Sequence, residues 1–168
     1  MNSILGHGFK YEYCVASPDG AVVHSPVFSN LLPQVGINHI AGMLRGDGTT
    51  PIGSWFMFLY EGNYIPTSGV TAADLPGVVG ECVAYSDADR PAWTHAYDGV
   101  SVISNLAAKA VFTMTSDKRI YGAGIIASST KGGNTGLLLS IAKFPTPVDL
   151  ITGAQFSLGA GLALIPTT

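Results

Sequence analysis

Few residues in this 168-residue chain have types suited to chemistry: four histidines, two cysteines and one closely spaced pair of carboxylates. An imidazole can shuttle protons near neutral pH or ligate a transition metal. His7, His24, His39 and His95 are scattered, and no two lie at ligand spacing on one element. Each reads as a hydrogen-bonded surface or half-buried side chain, although a zinc site assembled from distant residues leaves no local signature. Asp87-Ala88-Asp89-Arg90 sets two carboxylates beside a guanidinium. On a strand the two would share a face and offer oxygens to a hard cation. The plainer expectation is a solvated loop in which Arg90 neutralises one of them. Cys14 and Cys82 form no metal-spaced pair and read as buried free thiols of a reducing compartment; spacing alone leaves a disulfide open.

The loops offer no nucleotide signature. Gly46-Asp-Gly48, Lys131–Gly136 and Leu158–Gly161 all lack the Lys-Ser/Thr ending of a phosphate cradle. No Gly-x-Ser-x-Gly elbow presents a nucleophile. No catalytic, cofactor-binding or metal-ligating residue is assigned, and the chain is not expected to be an enzyme. Trp55, Trp93, Tyr64 and Tyr97 are the candidates for an aromatic platform that a carbohydrate could stack on. Trp55 sits in an apolar run and is expected in the core. Trp93, between Pro91 and His95, is expected at the surface.

The elements that must position these residues are mostly strands. Phe9–Ala16 alternates, with Phe9, Tyr11, Tyr13 and Val15 on one face. Ser17-Pro18-Asp19-Gly20 is turn chemistry, and Ala21–Ser25 returns as the partner strand. The spacing predicts a helix over Gln34–Leu44, preceded by Pro33 and stopped at Arg45-Gly46-Asp47-Gly48. Ala72–Leu75 adds one short turn. Further strands are expected at Trp55–Tyr60, Glu81–Tyr85, Ala92–Tyr97, Val111–Thr115, Ile120–Ser128, Leu137–Lys143 and Gln155–Leu164. Lys131–Gly136 reads as a flexible loop. The uncharged run Gly153–Leu164 is either a central strand or one shared across an interface. Many short strands with turn residues between them imply an all-β fold with one short helix, an antiparallel β-sandwich of jelly-roll type. Residues 1–8 are expected to form an N-terminal arm and 9–168 a single sandwich domain.

Composition narrows the partners. Charged residues are 11% of the chain against about 25% in typical soluble domains. Apolar residues are 47%, which excludes intrinsic disorder. The net charge of −3 argues against binding nucleic acid by phosphate neutralisation. No apolar run approaches the roughly 18 residues of a spanning helix, so no membrane contact is expected. Residues 1–10 show no basic stretch leading into an apolar run, so no secretory leader is expected. With mean hydropathy at +0.35, the surface has little polar cover and is expected to be buried against other subunits.

Four ordered stretches carry a resemblance: Phe28-Ser-Asn-Leu-Leu with Gly36-Ile-Asn-His-Ile40; Tyr85-Ser-Asp-Ala-Asp-Arg-Pro91; Ser104-Asn-Leu-Ala-Ala-Lys-Ala-Val-Phe-Thr113; and Gly122-Ala-Gly-Ile-Ile-Ala-Ser-Ser-Thr-Lys-Gly-Gly133. Together they resemble a family of small β-rich virion structural proteins of tailed bacteriophages, over roughly residues 22 to 165. Asp89 stands where that family usually has Thr, and Gly124-Ile125 departs from its Gly-Ala-Phe pattern. The resemblance implies a structural role in the virion, and the leading expectation is a capsid decoration (cement) protein on the outside of the head, made in the host cytoplasm. Its implied partners are the major capsid protein and copies of itself, as a dimer or trimer at local symmetry axes. The alternative is a neck, tail or fibre-attachment component present in few copies. No cofactor and no catalytic residue is implied.

Overall fold

The computed structural model describes residues 8–164; the expected arm lies outside them apart from Gly8. Two antiparallel sheets form from ten strands. The larger sheet runs β2 (Val22–His24), β1 (Phe9–Ala16), β10 (Gln155–Ala163), β6 (Val102–Ser104) and β5 (Ala96–Tyr97). Beyond that path, β3 (Phe28–Ser29) also pairs with β1, and β7 (Ala110–Thr113) also pairs with β10. The smaller sheet runs β4 (Phe56–Tyr60), β8 (Lys118–Ile126) and β9 (Leu138–Leu150). The chain is thus mostly β with one α-helix among the described residues, α1 (Gln34–Arg45).

The expected hairpin forms as read. Alternation puts Phe9, Tyr11 and Val15 of β1 into the core, and Gly20 takes φ +89° in the turn. The uncharged run is a central strand. Along its length β10 pairs with β1, from Phe9↔Leu162 to Ala16↔Gln155, while β7 and β6 occupy its other edge. The helix also forms as read, ending on Gly46 at φ +65°. A side chain at Gly36 would strike the carbonyl oxygens of Leu138 and Leu139, so this glycine lets α1 lie directly on β9.

The sheets share one core. Phe112, Phe156 and Leu158 of the larger sheet pack with Met57, Leu59, Ile120 and Ile125 of the smaller. Tyr11 Oη donates to Ser140 Oγ at 2.7 Å, crossing from β1 to β9. A second cluster covers the other face of the smaller sheet. There Phe58, Tyr60 and Ile141 meet Val70, Leu75 and Val79. Leu75 and Val79 lie on a π-helical turn, Leu75–Val79, entered from a 3-10 turn, Ala72–Asp74, that Thr71 and Asp74 cap reciprocally; Val70 comes just before both.

Three expected strands come out differently. Glu81–Tyr85 makes only single bridges, Glu81 to Tyr60 and Tyr85 to Met114, because it passes from one sheet to the other. Ala92–Tyr97 is laddered only at Ala96–Tyr97. Before that, Trp93 N–H bonds Trp55 O, and Pro91 O accepts from Met57 N–H, so the backbone groups go to the end of β4. The strand expected at Leu137–Lys143 continues to Leu150 through Pro145 and Pro147. It can do so because β9 is an edge strand and its one ladder skips residues 144–147, with Gly122 paired to Lys143 and Ile120 to Val148, so neither proline N is called on to donate.

Candidate functional site

The residues with the strongest chemical character converge in a groove between α1 and the larger sheet. The helix contributes His39, Ile40 and Met43; Trp55 stands just before β4; Trp93 and His95 come from the segment leading into β5. Phe9 of β1, Ile103 of β6, Leu139 of β9 and Leu162 of β10 complete the wall, and the cavity is about 180 Å³. The lining side chains hold two imidazoles, two indoles and hydrocarbon, with no carboxylate or amine. Such a surface can seat an apolar or aromatic group and offer it a hydrogen bond.

Trp93 is not the surface residue its neighbours implied. It is 5% exposed. Its Nε1 donates to Ala160 O at 3.2 Å, and Phe9 meets its ring edge-on with centroids 5.4 Å apart. His95 stacks on it at 4.3 Å. With one face under His95 and the ring almost wholly buried, Trp93 offers no platform to a sugar. Trp55 is half-buried and packs against the core, with His39 edge-on to it at 6.0 Å. Tyr64 is half-buried elsewhere, while Tyr97 is exposed on β5.

His24 is exposed at the end of β2, with its Nε2 4.0 Å from Cys14 Sγ; His7 lies outside the described residues. Cys14 is half-buried rather than buried. Cys82 is buried, and burial pushes its thiol up from the ordinary value. Both are free. Among the described residues no three histidine, cysteine or acidic side chains gather around a common point. No helix among them is long and apolar enough to cross a membrane.

The Asp87–Arg90 motif is corrected more deeply. Asp87 and Asp89 are exposed, but Arg90 turns inward and is buried. It meets Glu81, not either aspartate: Nε donates to Oε1 at 2.8 Å and Nη2 to Oε2 at 2.6 Å. The same guanidinium donates to Ser128 O at 3.0 Å and Gly133 O at 2.9 Å. Lys131 Nζ donates to the carbonyls of Tyr85 and Asp87 and lies 4.4 Å over the Tyr85 ring. The segment Lys131–Gly136, expected to be flexible, is therefore pinned by two cations.

Asn105 does comparable work between β6 and β7. Its Oδ1 accepts from Ala160 N–H at 2.7 Å, and its Nδ2 donates to Leu158 O at 3.1 Å, so a side chain completes the ladder on β10. Sequence reasoning missed Glu81, Asn105 and the groove. A carboxylate heading the apolar stretch Cys82–Tyr85 was the available signal that a buried cation must face it. The groove had none, because its walls come from seven separate stretches of chain.

Comparison with protein-family models, with curated proteins and with solved structures gives no match for this chain.

Proposed function

We propose that this chain is a structural protein of a tailed-phage virion, a capsid decoration protein that binds the outside of the head and clamps neighbouring major capsid subunits. The observation that carries the reading is the apolar character of both open edges of the larger sheet. Val22 and Val23 are exposed on β2 at one end; Tyr97 on β5 and the following Val100 are exposed at the other. Edge strands of soluble monomers are usually blunted by shortness, charge or proline; these two are short, at three and two residues, yet they expose valine and tyrosine rather than charge. Large exposed apolar patches mark association sites.

The residues that prompted the resemblance also support a framework role. Arg90, Asn105, Lys131 and Gly133 tie strands and loops to one another. The sandwich is taken as jelly-roll type, which the pairing of the first strand with the last supports. Clamping needs no chemistry. Each copy buries apolar surface at about 25 cal/mol per Å², and shell symmetry repeats the small gain many times.

Quantitative mass spectrometry of purified particles tests the role. Hundreds of copies at a simple ratio to the capsid subunit are expected. A count of about 3 to 12, the copy range of closed rings at a single axis, moves the chain to the neck, tail or fibre attachment. Absence from particles removes the virion role.

A further inference from the structure

Beside the groove the fold leaves one polar atom unsatisfied. His39 is 8% exposed, and its Nε2 is buried with no hydrogen-bond partner among the described residues. An unpaired buried nitrogen is costly, and each instance calls for an explanation. His39 lines an apolar cavity of about 180 Å³. An apolar cavity of about 150 Å³ accepts a benzene ring, so this one has room for a single aromatic ring bearing a polar group.

The chain carries such a group on its own surface. Tyr97 is the one aromatic among the exposed large hydrophobic residues described, at 57%. Its ring fits the size and its hydroxyl fits the imidazole. We propose that the groove receives the Tyr97 ring of a second copy of this chain, and that the exchange is mutual, closing a two-fold dimer.

Placement favours closure. Tyr97 lies two residues beyond His95, which lines the groove, on the outermost strand β5. A knob and a hole so close together can both be satisfied across one two-fold axis, whereas widely separated ones build open chains. Sequence neighbours of the lining add apolar area, with exposed Arg45 and Asp98 beside them in the chain. Exposed Leu44 follows Met43 of the lining, exposed Leu164 stands two residues after Leu162, and exposed Val100 three before Ile103. A standard interface takes about 800 Å² from each partner, near a tenth of the 8662 Å² surface of one chain. An aromatic anchor in a pocket ringed by apolar contacts is the usual energetic centre of such an interface.

This inference deepens the proposed role and rests on it for its purpose, but its test is separate. Sedimentation equilibrium of the purified full chain from about 1 to 100 µM spans the affinities of transient and stable dimers. A dimer is expected. The substitution Tyr97→Ser is expected to weaken it at least about tenfold, the loss typical of a central anchor. Tyr97→Phe should retain more affinity than Tyr97→Ser, and Val23→Ser at the opposite edge should leave association unchanged. Both tryptophans of the chain line the groove, so dilution should shift their emission in the wild type and not in Tyr97→Ser. Circular dichroism melts confirm that each variant is folded. A wild type that stays monomeric at about 100 µM, or a dimer that Tyr97→Ser leaves intact, overturns the proposal. A dimer that behaves as expected in a protein missing from particles keeps this inference and removes the virion role.

Discussion

Arg90 and Glu81 show how one side chain can hold a framework together. Both side chains are fully buried and their contact is bidentate. Two of the three remaining guanidinium donors go to the carbonyls of Ser128 and Gly133, so the charge faces oxygen rather than hydrocarbon. A buried pair of this kind adds little over a well-packed apolar substitute, yet breaking it strands a charge. Arg90→Met should therefore cost about 3–5 kcal/mol, because the Glu81 carboxylate loses its partner in a dry site. Adding Glu81→Leu to that variant should recover most of the loss. Urea denaturation of the two variants decides it: a single variant within about 0.5 kcal/mol of wild type would mean that water reaches the pair. None of this could be read from Asp87-Ala-Asp89-Arg90, where the nearest carboxylates are the wrong ones. The partner is nine positions back, reached only because the segment from Glu81 to Arg90 curls between the two sheets.

At the scale of elements, β8 depends on two glycines that its neighbours' aromatic rings require. A side chain at Gly122 would strike the Tyr60 ring and the Ala142 carbonyl. One at Gly124 would meet the Phe58 ring and Ser140 O, both at 2.5 Å. Phe58 and Tyr60 on β4 lie across these glycines, filling with ring carbon the space that side chains would take. Gly124→Ala should accordingly destabilise the fold by about 1–3 kcal/mol, the usual cost of overpacking, although alanine suits a strand at least as well as glycine. A chemical melt that leaves the variant as stable as wild type would show that the Phe58 ring moves aside freely. Elements with local causes were legible in the sequence: the alternation of β1, the turn at Gly20, the stop of α1 at Gly46. Elements decided by position in a sheet were not. Pro145 and Pro147 argue against a strand until β9 is known to lie at an edge, and Trp93 reads as exposed until Phe9 and His95 are known to cover it.

For the whole molecule, the carboxyls that the fold lowers are exposed and the phenols that it raises are buried, and that contrast shapes how stability responds to pH. Asp98 accepts from the N–H groups of Val100, Ser101 and Val102, which hold its carboxyl below the ordinary value of 3.8. Asp117 is lowered by Thr152, and Asp149 by Arg119. A carboxyl lowered in the fold stabilises above its unfolded value and stops doing so as pH falls through the folded one. The opposite limb belongs to phenols. Tyr11, Tyr60 and Tyr85 are pushed up from 10.0 chiefly by burial, which disfavours the phenolate. A group raised in this way stabilises fully below its unfolded value, and the contribution fades as pH climbs beyond it. The melting temperature should therefore stay level between about pH 5 and 9 and fall on both sides, more steeply in base, where the titrating groups are buried rather than exposed. Absorbance near 295 nm gives the sharper check, since it counts phenolates directly. The three buried phenols should appear only in a late rise that coincides with loss of the circular dichroism signal. Ionisation of every tyrosine in one smooth step, with the fold still intact, would mean that the shared core of the two sheets admits solvent.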